Sequence, residues 1–181
     1  MREKIISLYG PHVLKKSVIS IRGGAGVIPE VLNNGCFKTA LEIGTYRGVG
    51  AAEMSQCCEK IITIDLKRGK LELANEHWDR RIFWDSLGIT NIEFHAIADD
   101  YEKAELVAGL EFDFALIDGA HDATVARDFE LVKRCGTVLF HDADRRGSPQ
   151  KDYVIDFIES LPQDQVTYHD IFALWQAPRH G

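Results

Sequence analysis

Five short apolar runs, separated by longer segments that are apolar on one side only, set narrow limits on what this chain can become. The runs are TALEI (39–43), KIITID (60–65), IEFHAIA (92–98), FDFALID (112–118) and TVLFHD (137–142). Several are apolar nearly throughout, as strands covered on both faces must be. Between them lie helix-like stretches at roughly 48–58, 70–87 (Leu71, Leu73, Ala74 and Trp78 on one side), 101–109 and 122–135. Strands that alternate with helices are joined by right-handed crossovers, so the order predicts a doubly wound α/β sheet, mostly parallel, with helices on both faces. The tail departs from this order. YVIDFIESL (153–161) reads as a last helix, and VTYHDIFALWQA (166–177) as extended chain doubling back into a short antiparallel edge at the C-terminus.

A length of 181 residues predicts a single domain, 1–181, with 1–38 as an N-terminal cap segment and 39–181 as the core. The net charge of -7 argues against a partner recognised through its phosphate backbone, so nucleic acid is not expected and a small-molecule partner is. MREKIISLYGPHVLKK has charges on both sides of a very short apolar stretch, and no run approaches the ~18 apolar residues of a membrane span. Neither export nor membrane insertion is indicated, which gives a cytoplasmic expectation. Cys36, Cys57, Cys58 and Cys135 form no C-x-x-C pair and read as reduced thiols.

The first run leads into a glycine-rich turn, LEIGTYRGVG (41–50). A dinucleotide loop needs G-x-G-x-x-G, whose second glycine admits the pyrophosphate and whose third admits close helix packing. Counting from Gly44, those places hold Tyr46 and Val49, and no G-K-[ST] follows to make a phosphate loop. Instead Glu42 stands two residues before Gly44, with Gly48 and Gly50 beyond. A carboxylate there disfavours a phosphate and favours a ligand carrying positive charge, such as S-adenosylmethionine with its sulfonium and ammonium.

An adenosine site of this topology also wants a carboxylate at the end of the second strand, to accept the ribose hydroxyls. Asp65 is there, followed by Leu66. Taken alone it is equally a turn or cap aspartate. The third run ends in AIADD, where Ala98 and Asp99 meet the adenine, or Asp99 or Asp100 caps the helix beginning near Tyr101.

From Thr39 to Asp142 the chain resembles the class I S-adenosylmethionine-dependent methyltransferases, whose core is a Rossmann-like fold. LEIGTYRGVGAAEM is similar to the first motif of catechol O-methyltransferase and its bacterial small-molecule relatives, and IDGAH and GTVLFHD to the words ending the fourth and fifth strands of that group. The resemblance implies that Glu42, Gly44, Thr45, Tyr46 and Gly48 surround the methionine half of the cofactor. It puts Asp65 and Leu66 at the ribose, Ala98 and Asp99 near the adenine, and Asp118 between the cofactor and the acceptor.

Methyl transfer from a sulfonium is an in-line displacement, so the protein's part is alignment of the acceptor and removal of its proton, by a base or through a divalent metal. The carboxyl ends of the strands collect Asp118, His121, His141, Asp142 and Asp144 for this. The resemblance implies magnesium or another divalent cation held by Asp118 and Asp142, with Ala143 standing where an asparagine is expected, so that Asp144, His141 or water completes the shell. It puts His121 in place of the family's general-base lysine, a role for which imidazole has a suitable pKa. On the residues alone, DGAHD is also readable as a helix N-terminus capped by Asp118 or Asp122. Arg145, Arg146 and Lys151 read as a solvated basic loop or as a selector of anionic acceptors, and Phe83 and Trp84 as packing groups.

The expectation is therefore a methyltransferase, an O-methyltransferase on a small molecule. A nicotinamide-dependent oxidoreductase and a non-catalytic cofactor-binding domain are the alternatives. The short segment before the first strand leaves one cofactor edge uncovered, which would make a homodimer useful.

Overall fold

The computed structural model describes residues 36–67, 79–120, 122–144 and 149–178, together with Lys4, Ser7, Ile28, Val31 and Leu32. In chain order these form β1 (Phe37–Ile43), α1 (Val49–Met54), β2 (Cys58–Leu66), α2 (Arg80–Leu87), β3 (Ile92–Ile97), α3 (Asp100–Ala108), β4 (Phe114–Ile117), α4 (Thr124–Val132), β5 (Thr137–His141), α5 (Pro149–Ser160), β6 (Val166–His169) and β7 (Phe172–Gln176). A short 3-10 turn, Lys133–Cys135, extends α4 toward β5.

One sheet holds all seven strands in the order β3-β2-β1-β4-β5-β7-β6. β1 to β5 pair in parallel, while β7 runs antiparallel to both β5 and β6. The mostly parallel sheet and its antiparallel edge are as the apolar runs predict. Differences lie at element ends. Residues 55–57 turn tightly instead of continuing the first helix, because β2 already starts at Cys58. The predicted helix over 70–87 is described from Arg80 onward, where the Asp79 carboxylate accepts from the Arg81 and Ile82 amides and starts the helix. Leu71, Leu73, Ala74 and Trp78 lie outside the described residues, as do Arg145 and Arg146.

Strand side chains alternate between two cores. Ala40, Ile61, Leu116, Leu139 and Leu174 pack with α1 and α2 on one face. Leu41, Ile62, Ile117, Phe140 and Trp175 pack with α3, α4 and α5 on the other. Both faces are thus buried, which is why the strands lack polar alternation. Phe129 joins the second face to the tail, its ring 5.0 Å from that of Trp175 and edge-on to it. Among the described residues no helix is long and apolar enough to cross a membrane.

Candidate active site

Following the first face toward the carboxyl ends of the strands, the apolar rows turn polar. Ala40 is succeeded two residues on by Glu42, Ile61 by Thr63 and then Asp65, Leu116 by Asp118, and Leu139 by His141. Register places Glu42 beside both Thr63 and Leu116, and Ile117 beside Phe140. The period of two thus carries these polar side chains to one edge of the sheet, on the side of α1 and α2.

Glu42 is 1% exposed, and the Thr63 hydroxyl donates to its Oε2. Thr63 Oγ1 also lies 2.6 Å from Thr45 Oγ1, so a chain of hydroxyls runs from the glycine turn to the glutamate. Burial holds the Glu42 pKa well above the ordinary carboxyl value; the Thr63 contact opposes this, and the charges of Asp118 and Asp65 add to it. A cation arriving beside Glu42 would stabilise the ionised form.

The turn itself is shaped by its neighbours. Gly44 has φ +100°, and a methyl group there would overlap the Asp118 carbonyl and come within 2.7 Å of the Gly119 amide nitrogen. The Asp118 amide donates to the Ile43 carbonyl at 2.8 Å, so the ends of β1 and β4 are in direct contact. Gly48 has φ +79° and lies under the indole of Trp84, whose Nε1 donates to the Gly48 carbonyl at 2.8 Å. Trp84 is a packing group, as expected. Tyr46 adopts φ 43°, a left-handed conformation uncommon for an aromatic residue.

Among the described residues Asp65 caps no helix. Its Oδ2 accepts from the Tyr46 amide at 2.9 Å and from Arg80 Nη2 at 3.0 Å, and its Oδ1 accepts from the Leu66 amide at 2.9 Å. Leu66 is left 42% exposed at the strand end. One strand further out, Asp99 Oδ1 accepts from the Tyr101 and Glu102 amides, taking the capping role that the sequence left open, while the Ala98 amide donates to Glu102 Oε2 at 2.5 Å. On the other side of β1, Asp122 Oδ1 accepts from the Thr124 amide at the start of α4, so that turn is served by Asp122 rather than Asp118.

His141 is 2% exposed and stands against two aspartates, its Nδ1 3.1 Å from Asp118 Oδ1 and 3.6 Å from Asp142 Oδ2. Asp142 is buried too, with φ 58°, and the next amide, that of Ala143, donates to the Ile171 carbonyl at 2.9 Å. This arrangement tests the expected divalent-metal centre. Ala143 offers no side-chain donor, an imidazole already faces the two carboxylates, and among the described residues no three His, Cys, Asp or Glu side chains are grouped to hold an ion. His121, the expected base, lies outside the described residues.

Two participants escaped the sequence. Thr63 had a signal, being the polar residue inside an apolar run directly across from Glu42. Arg80 had none beyond the Asp79 cap, because its reach to Asp65 depends on where α2 starts.

Residues 41–143 match a family model described as a methyltransferase domain. No curated protein matches the sequence. Among solved structures, the chain is similar to the O-methyltransferase from Bacillus cereus in complex with SAH, with TM-score 0.65 and 13% identity over 98% of this chain and 96% of that one. It is also similar to the O-methyltransferase TomG from Streptomyces achromogenes in complex with SAM, with TM-score 0.61 and 17% identity over 97% and 95%. Cofactor-bound Rv0187 from MTB gives TM-score 0.66 and 14% identity over 95% and 93%. At these identities the structural likeness carries the fold.

Proposed function

Because this chain belongs to the methyltransferase-domain family, we propose that it moves the methyl group of S-adenosylmethionine onto an oxygen of a small-molecule acceptor. The observation that carries the reading is the pair of carboxylates at the ends of adjacent strands, Glu42 buried beside the glycine turn and Asp65 bonded to the amide of Tyr46. Their spacing along one sheet edge suits a ligand with a positive amino-acid end and a ribose, and their charge opposes a pyrophosphate. The O-methyltransferases of similar fold, from Bacillus cereus with SAH and from Streptomyces achromogenes with SAM, support it.

Bound there, S-adenosylmethionine supplies a methyl group already activated by the sulfonium charge. Glu42, with Gly44, Thr45, Tyr46 and Gly48, takes the methionine end. Asp65 and Leu66 take the ribose, and Ala98 and Asp99 border the adenine. Asp118 stands between cofactor and acceptor, on the turn that Gly44 packs against. Holding two reactants in line offsets about 7 to 11 kcal/mol of the barrier in well-aligned cases, so most of the chain's task is positioning. His121 takes the acceptor's proton, with an imidazole pKa suited to neutral pH. No step in this reading passes through a metal. The acidic net charge of -7 supports a small acceptor over nucleic acid, and the cysteine spacing, with no C-x-x-C pair, supports a cytoplasmic setting.

Calorimetric titration with S-adenosylhomocysteine, with NAD as control, tests the cofactor assignment. Saturable binding to the first alone is expected, and preference for NAD would overturn the reading. A screen of hydroxylated acceptors then tests the transfer. His121→Ala is expected to lower turnover by about 100-fold or more while leaving S-adenosylhomocysteine affinity unchanged.

A further inference from the structure

Arg80 enters the site from the first turn of α2 and makes three contacts at once. Its Nε donates to the Tyr46 carbonyl at 2.5 Å, its Nη2 meets Asp65 Oδ2 at 3.0 Å, and its guanidinium lies over the Phe94 ring, 4.8 Å from the centroid. The side chain is only 10% exposed. The Tyr46 amide donates to the same Asp65 oxygen, so Arg80, Asp65 and the Tyr46 peptide groups close a ring of contacts around the left-handed residue of the glycine turn.

We propose that Arg80 is a positioning residue for the cofactor, fixing the Asp65 carboxylate and the Tyr46 turn in the orientation that receives the ribose and the methionine end. The inference rests on the cofactor reading above and assigns that site a residue from a different element. A planar guanidinium suits the task, because its fork reaches a carbonyl and a carboxylate together while its face rests on an aromatic ring. Lysine offers a single point charge and cannot hold both. Holding Tyr46 at positive φ strains the backbone, and the contacts to both of its backbone polar groups offset that cost. Without Arg80 one of these contacts is lost, and Asp65 loses one of the groups that hold its carboxylate in place.

The test is S-adenosylhomocysteine affinity in wild type, Arg80→Met, Asp65→Asn and the double variant, with folding checked by circular dichroism. Arg80→Met is expected to weaken binding about tenfold or more, and to add less than about threefold once Asp65 is already Asn, because the effect runs through that carboxylate. A merely structural role predicts a lower melting temperature with losses that multiply in the double variant, and that outcome overturns the proposal. So does unchanged or tighter binding by a folded Arg80→Met. If Arg80→Met does not fold, Arg80→Lys, which keeps the charge and the stem, is read by the same criteria. A wild-type protein that binds no S-adenosylhomocysteine overturns the cofactor reading itself, whereas wild-type binding with an indifferent Arg80 overturns this inference alone.

Discussion

His141 Nδ1 lies 3.1 Å from Asp118 Oδ1, joining the ends of two adjacent parallel strands through one buried contact. Burial disfavours charge on the ring. The Asp118 carboxylate, seconded by Asp142, outweighs it and lifts the His141 pKa from 6.5 to about 9.

That shift makes stability depend on pH. Between pH 6.5 and about 9 the folded state keeps a proton that the unfolded chain has released, so this contribution is complete below the lower value and lost as pH rises through the upper one. The loss is on the order of 3 kcal/mol. Urea unfolding at a series of pH values checks it. Asp118→Asn removes the largest raising influence, so its decline is smaller and ends at lower pH; a wild-type profile flat across the window would contradict the assignment.

Glu42 gives a prediction of opposite use. Its pKa is raised chiefly by burial, so over part of the acidic range the free protein carries a proton there. A cationic ligand favours the ionised form, so binding releases that proton and affinity rises with pH through the window above 4.5. Calorimetry of S-adenosylhomocysteine binding in two buffers of different ionisation enthalpy measures the release. Glu42→Gln abolishes it, and heats independent of buffer in the wild type at acidic pH would refute the prediction.

Three glycines with similar positive φ separate conformational cost from steric cost. Gly88→Ala meets nothing within 4 Å and is expected to lose about 1 kcal/mol, the cost of a left-handed alanine. Gly48→Ala also meets the Trp84 ring at 2.6 Å, and Gly44→Ala meets the backbone of Asp118, which cannot swing aside as a side chain can. Denaturant unfolding should therefore rank them Gly88, Gly48, Gly44, with the last losing about 3 kcal/mol or more.

Lys103 bridges α3 and α4, its Nζ 2.6 Å from Asp128 Oδ1 and 2.8 Å from Asp100 Oδ1. Asp128 is 1% exposed. Lys103→Met would strand that carboxylate without its cation, at a cost of about 3 to 5 kcal/mol. Lys103→Met with Asp128→Leu should recover much of the loss, as read by melting temperature.

Magnesium offers a direct check on the donor set at Asp118 and Asp142. Protein stripped with EDTA is expected to bind S-adenosylhomocysteine as tightly as untreated protein, and millimolar magnesium is expected to leave the melting temperature within about 1 °C. A saturable rise on adding the ion would restore the two aspartates as a metal site.

The parallel strands and the polar edge were legible: apolar runs of strand length gave the first, and the rule that open α/β sheets bind ligands at the carboxyl ends of their strands gave the second. Glu42 and Asp65 could be found by counting from Gly44. Asp99 could not be resolved from sequence, since an aspartate before a helix serves a cap and a ligand equally well, and only coordinates show Oδ1 accepting from two helix amides. Arg80 stayed hidden for a different reason. Side chains that reach across from another element are fixed by where a helix begins and how it lies on the sheet, which spacing along the chain does not encode. The imidazole facing Asp118 and Asp142 is of the same kind: His141 was visible as a strand-end residue, and its contact across strands was not.

The antiparallel insertion of β7 beside β5 bears on how the protein is made. Parallel pairing of β1 to β5 requires only residues up to His141, so the half of the site containing Glu42 and Asp65 can assemble while synthesis continues. The amide after Asp142, however, finds its acceptor on Ile171, and Phe172 is the register partner of His141. The contacts around His141 and Asp142 therefore depend on residues that are synthesised last. On the proposed reading, the cofactor side of the site is written earlier in the chain than the contacts that complete its acceptor side.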